Sequence, residues 1–184
     1  MFVLGVDPGL TRCGYGCVEQ AGGPSGRTPR AVALGVLRTD KDDPLPKRLA
    51  DLQLGVRSLI ADLQPAVVAV ERVFFQVNVR TAMAVGQASG IVMAEAHAAG
   101  CGVEMYTPNQ VKEAVAGHGN ADKEQVGQMV QTLLGLAAPP RPADAADAAA
   151  LALCHLAHAP MRAKVGAAPA GARGAAPAGA RGAM

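Results

Sequence analysis

Four acidic residues stand in positions where their ordinary explanations compete with a chemical one. Asp7 follows the apolar run FVLGV and opens an Asp-Pro-Gly sequence, and Glu71 follows AVVAV. Asp144 and Asp147 lie three apart in ADAADAAALAL, so on a helix they project from one face. Each acid alone has a structural reading. Asp-Pro-Gly suits a type II turn closed by an Asx hydrogen bond, a strand end commonly exits into solvent, and acids in a first helical turn are favoured by about 0.3–1 kcal/mol each. Brought to one end of one sheet, however, four carboxylates repel, and they must hold protons or splay apart unless a cation lies among them. An all-oxygen set suits Mg²⁺ or Mn²⁺ rather than zinc. Such a cluster serves phosphodiester hydrolysis, with two ions about 3.5–4 Å apart.

The elements that would have to position these acids can be read from periodicity. Residues 2–7, 13–19 and 31–38 read as three strands of an antiparallel meander, the first nearly all apolar, as for a strand covered on both faces. Leu49, Leu52, Val56, Leu59 and Ile60 recur at helical spacing from Pro46 to about Leu63, and Pro65 ends that pattern before a strand at 66–71. A helix at about 78–98, a strand at 101–106 and helices near 108–116, 122–134 and 143–157 complete the pattern. Thr107, Pro108 and Gln110 form a capping box with Pro in the first turn, and Asn120 is expected to cap the next helix. The order predicts an α/β domain of ribonuclease-H-like type: a mixed five-stranded sheet flanked by helices. If strands one and four are parallel neighbours, Asp7 and Glu71 emerge at the same carboxyl edge, where α/β sheets place their ligands. Asp144 and Asp147, beside an Ala/Leu stripe, lean toward that sheet.

Composition bounds the rest. The chain has 184 residues, 50% apolar and 17% charged, with a formal net charge of +2, which fits one globular domain over residues 1–160 and an appendage at 161–184. The appendage contains GAAPAGAR twice and is expected to be a disordered, low-complexity basic tail. It holds four of the 17 basic groups and no acid, leaving 13 basic against 15 acidic groups in the body. Global charge therefore does not announce a nucleic-acid binder. No apolar run approaches the roughly 18 residues of a membrane helix, and no secretory signal opens the chain, so a cytoplasmic protein is expected. Cys13, Cys17, Cys101 and Cys154 lack the spacing of a disulfide framework or zinc site, Cys13 and Cys17 reading as one strand face. His155 and His158 read as surface or core histidines.

VLGVDPGLTRCGYG at 3–16, VAVERVFF at 68–75, GQASG at 86–90, TPNQVKEAVAGHGNADKEQV at 107–126 and ADAADAAALAL at 143–153 together resemble the RuvC family of Holliday junction resolvases, in order over about 160 residues. The resemblance implies a homodimeric, Mg²⁺-dependent endonuclease that resolves four-way DNA junctions by paired symmetric nicks in recombination and repair, with RuvA and RuvB as partners. It implies two Mg²⁺ per active site, with Mn²⁺ substituting. The family's catalytic and metal-binding acids fall on Asp7, Glu71, Asp144 and Asp147, the third being a histidine in some relatives. Phe74 matches an aromatic that stacks on a base at the opened crossover; anchoring of the loop on the core by Phe74 and Phe75 is the structural alternative. Lys112 and Lys123 match basic residues near the scissile phosphate. A cation at the start of a helix opposes the macrodipole by a few tenths of a kcal/mol, which a phosphate contact at Lys123 would explain. Ser89 stands where an arginine is frequent in the family, and Gly86, Ala88 and Gly90 are small enough for close helix approach at a dimer interface.

Three other readings compete. DPGLTRCGYG also resembles the first phosphate loop of actin-like ATPases and sugar kinases, but those need a second such domain. A YqgF-type nuclease acting on RNA shares the acidic strand ends but differs in the middle region. A non-catalytic junction-binding subunit is disfavoured because no member of the acidic set is missing.

Overall fold

A computed structural model of the protein describes residues 1–20, 28–72 and 79–166. Along the chain run β1 (Phe2–Asp7), β2 (Arg12–Glu19), β3 (Arg30–Arg38), α1 (Leu45–Leu63), β4 (Val67–Glu71), α2 (Val79–Ala98), β5 (Gly102–Tyr106), α3 (Pro108–Ala116), α4 (Lys123–Leu134) and α5 (Ala143–Gly166). The strands form one sheet in the order β3-β2-β1-β4-β5. β1 and β2 pair antiparallel, as do β2 and β3, while β4 runs parallel to both β1 and β5. This is the mixed five-stranded sheet expected from the element order.

Strand alternation divides the core into two layers. Leu4, Val6, Cys13, Cys17, Val68 and Val70 face α1 and α2, where Leu52, Val56, Ile60, Ala88 and Val92 meet them. Val3, Val18, Ala69 and Tyr106 face the opposite way, against α3, α4 and α5. With both faces covered, β1 is buried along its middle, which is why it reads as a continuous apolar run rather than an alternating one. Burial pushes the Cys13 thiol up to about 12 and that of Cys17 to about 11. Both therefore behave as small apolar core residues.

Local signals set the helix ends. α1 ends with Gln64 in the left-handed region (φ 44°), immediately before Pro65. Thr107 caps α3 by the expected reciprocal pair: its hydroxyl accepts from the Gln110 amide and the Gln110 side chain accepts from the Thr107 amide. The cap of α4 is Asp122, not Asn120, because Asp122 has Gln125 three residues on to complete the same box. α5 is described from Ala143 to Gly166, past residue 157 and into the segment assigned to the tail. The expectation for 167–184 lies outside the described residues. No helix among the described residues is long and apolar enough to cross a membrane.

α5 lies unusually close to the sheet. A Cβ at Gly5 would collide with the Ala148 carbonyl oxygen and come within 2.8 Å of the Ala152 amide, and one at Gly14 would collide with the Asp144 carbonyl. Glycine on β1 and β2, opposite the alanines of α5, lets helix backbone rest directly on strand backbone.

Candidate active site

The parallel register sets Val6 beside Val70, so the next residues, Asp7 and Glu71, leave the sheet side by side. Val6 and Val70 point into the α1/α2 layer, and alternation turns the two acids toward α5. On the other side of β1, Asp7 pairs with Gly14, the residue over which Asp144 is packed. Asp147 follows one turn along α5, beside the mouth formed by α3 and α4. Three separate segments thus deliver four acids to one sheet edge.

Their fields are felt. Asp7 is pushed up to about 7, first by burial and then by the neighbouring charges of Glu71, Asp147 and Asp144, with Lys123 opposing. Glu71 is raised by burial and by Asp147, again opposed by Lys123. Asp7, Glu71 and Asp147 share a cleft of about 210 Å³ with Lys112 and Lys123, floored by Val111, Val126 and Leu151. A larger hollow of about 710 Å³ opens where α1 and α2 end, on the far side of the sheet, but its charged residues, Arg57 and Glu95, already neutralise each other. The smaller cleft gathers three carboxylates against two ammonium groups.

Two cations attend the helix aspartates. The Lys123 ammonium donates to Asp147 Oδ2 at 3.0 Å, and this bond raises the lysine's own pKa. The Arg12 guanidinium donates through Nε at 2.9 Å and Nη2 at 2.5 Å, both to Asp144 Oδ2. Asp144 is not among the residues that line the cleft, although its charge still reaches Asp7. As the side chains stand, no three His, Cys, Asp or Glu among the described residues close around a point that would hold a metal ion. The donor chemistry nonetheless fits a hard divalent cation: only carboxylate oxygens converge, and burial with mutual repulsion leaves Asp7 in need of positive charge.

Of the residues singled out by sequence, Asp7, Glu71, Asp147, Lys112 and Lys123 meet in the cleft, and Asp144 stands at its β2 side. Phe74 lies outside the described residues. Ser89 is buried, so this position offers no basic contact at the surface. His155 is buried and hydrogen-bonded through Nδ1 to the Tyr106 hydroxyl at 2.9 Å, a core role. Arg12 has no part in the sequence expectations, although its position carries a signal: counted in twos, Arg12, Gly14 and Gly16 share the strand face that α5 covers, with Arg12 at its active edge. The turn between Asp7 and Arg12 is itself held. Thr39 donates its hydroxyl to the Leu10 carbonyl at 2.6 Å, and Arg48 donates to Thr11 Oγ1 at 2.6 Å.

Residues 3–155 match the family model for Crossover junction endodeoxyribonuclease RuvC. The chain belongs to the RuvC family. The Crossover junction endodeoxyribonuclease RuvC of Salinispora arenicola is 53% identical over 173 residues, 94% of this chain and 97% of the relative. The structure of Thermus thermophilus RuvC in complex with Holliday junction substrate superposes with a TM-score of 0.82 at 40% identity, covering 88% of this chain and 96% of that one. The yeast mitochondrial Holliday junction resolvase Ydc2 shares the fold, with a TM-score of 0.63 at 17% identity over 84% of this chain and 78% of that one.

Proposed function

We propose that this RuvC-family chain is a crossover junction endodeoxyribonuclease that resolves four-way DNA junctions by paired symmetric nicks, in homologous recombination and repair. The observation that carries this reading is the meeting of Asp7, Glu71 and Asp147 in one cleft, with Asp144 at its edge, at the carboxyl ends of two parallel strands. Asp7, Glu71, Asp144 and Asp147 would together hold Mg²⁺, two ions per site with Mn²⁺ able to substitute, and the metal would supply an activated water and stabilise the leaving oxygen. Lys112 and Lys123 stand over the same cleft, where they attract and orient the scissile phosphate. Phe74, three residues beyond Glu71, stacks on a base at the crossover. Two nicks in symmetric strands require two such sites, so the working form is a C2 homodimer. On α2, Met83 is 60% exposed and Gly86 and Gly90 have open space before them, a surface suited to that contact; Ala88, expected to share it, is instead fully buried against the sheet. RuvA and RuvB are the partners that the family reading supplies, and the bacterial cytoplasm is where they would meet.

An end-labelled synthetic four-way junction, incubated beside a linear duplex of the same sequence with Mg²⁺, Mn²⁺ or chelator, tests the reading. Symmetric nicks in the junction alone, dependent on metal, are expected. Tight binding without nicks would indicate a non-catalytic subunit; neither binding nor nicks would favour a YqgF-type activity on RNA.

Two substitutions separate the roles around the acids. Lys112→Ala lowers junction affinity several-fold for all sequences alike and reduces the dependence of log affinity on log salt by about one, as for a lost phosphate contact. A change of cleavage sequence would instead make Lys112 a base reader. Phe74→Ala leaves junction binding in place and slows cleavage roughly 5- to 150-fold, the range expected from stacking worth about 1–3 kcal/mol. Unchanged single-turnover cleavage would remove the stacking role.

A further inference from the structure

Resting on the metal-dependent reading above, we propose that Arg12 is a positioning residue that takes the place of metal at Asp144, holding this carboxylate out of the ligand set until a divalent cation displaces the guanidinium. Both contacting Arg12 nitrogens donate to the same oxygen, Oδ2, so one lone-pair-bearing atom of Asp144 is wholly committed to a cation. The pair is half-sheltered, with the Arg12 side chain 40% exposed and that of Asp144 29%, and it is screened less than a pair on open surface. In this arrangement Asp144 stays out of the cleft that the other three acids line.

The second cation of the site behaves differently. Lys123 makes a single bond to Asp147 and its side chain is 81% exposed; an ammonium on a flexible stem is easily given up, whereas the guanidinium fork is rigid and preorganised. Asp147 already stands in the cleft while paired, and Asp144 does not. Arg12 therefore sets how readily the fourth acid is recruited. The opposite role, in which Arg12 orients Asp144 as a ligand and strengthens metal binding, predicts the opposite sign when the arginine is removed.

The decisive experiment titrates Mn²⁺ into the DNA-free protein and follows the melting temperature, for wild type, Arg12→Gln, Arg12→Lys and Asp7→Asn, with circular dichroism to verify folding. The half-saturating Mn²⁺ concentration is expected to fall roughly two- to fivefold in Arg12→Gln, the scale of a partly exposed ion pair, and to lie between the two in Arg12→Lys. A wild-type shift combined with an unchanged or higher midpoint in both Arg12 variants overturns the role of Arg12 and leaves the metal site standing. Absence of any Mn²⁺-dependent shift in wild type overturns the metal reading and the role of Arg12 with it.

Discussion

Asp7→Asn is expected to lower junction cleavage about a thousandfold or more and, at the same time, to make the metal-free protein more stable. The loss follows if Asp7 holds metal whose charge stabilisation amounts to several kcal/mol, at about 1.4 kcal/mol per tenfold in rate. The gain follows from the burial of Asp7 among like charges, which moves it from 3.8 to about 7 in the folded protein. Below pH 3.8 both states hold the proton and the residue contributes nothing. Between 3.8 and 7 the unfolded chain has released its proton and the folded one has not, so stability falls as pH rises, by about 1.4 kcal/mol per unit. Above 7 the full penalty persists. Asparagine carries no charge, and relief of about 2–4 kcal/mol at pH 8 corresponds to a rise of roughly 5–10 °C in Tm for a chain of this size. Thermal melts in chelator at pH 4 and pH 8 are the check: the advantage of Asp7→Asn appears at pH 8 and shrinks at pH 4. Mg²⁺ narrows it by stabilising wild type alone. A variant less stable than wild type at pH 8 would mean that the Asp7 carboxylate serves chiefly to close the Asp-Pro-Gly turn.

Gly5→Ala is expected to be the most damaging substitution of a single methyl group. The new Cβ would collide with the Ala148 carbonyl and approach the Ala152 amide to 2.8 Å. Both are helix backbone, held by the helix's own hydrogen bonds, so neither can turn aside as a side chain would. α5 must lift from the sheet, at an expected cost of about 3–5 kcal/mol by urea unfolding. Cleavage falls beyond the loss of folded protein, because the helix that lifts also carries Asp144 and Asp147. The comparison is Gly127→Ala in α4, where no atom lies within 4 Å of the added methyl and where alanine in a helix is worth up to about 1 kcal/mol over glycine. Equal, small effects in the two variants would show that α5 does not depend on backbone contact with β1.

Most element boundaries were readable because they rest on near neighbours. The Leu52, Val56, Ile60 stripe and the Gln64-Pro65 stop belong to α1 itself, and the Thr107/Gln110 box spans four residues. The cap of α4 is as local as that of α3, since Asp122 and Gln125 make the same four-residue box; Asn120, expected to cap, has Lys123 rather than a glutamine three residues on. The four acids were legible from the sequence, Asp7 and Glu71 because each ends an apolar run and Asp144 and Asp147 because they lie three apart on one helix face. Arg12 was not, because a basic residue after a turn looks solvated until the strand it opens is known to lie under α5.

What the amino-acid order by itself determined is the set of elements, their type and the identity of the acids, since apolar period, turn residues and caps act within a few residues of chain. Tertiary structure alone decided the electrostatics. The approach of α5 to β1 and β2 depends on Gly5 and Gly14 meeting backbone 130 or more residues away, and that approach brings Asp144 within reach of Arg12 and surrounds Asp7 with charge. The rise of Asp7 to about 7 and the pairing of Asp144 with Arg12 come from burial and through-space fields, which depend on distance in the folded molecule and have no counterpart in sequence separation.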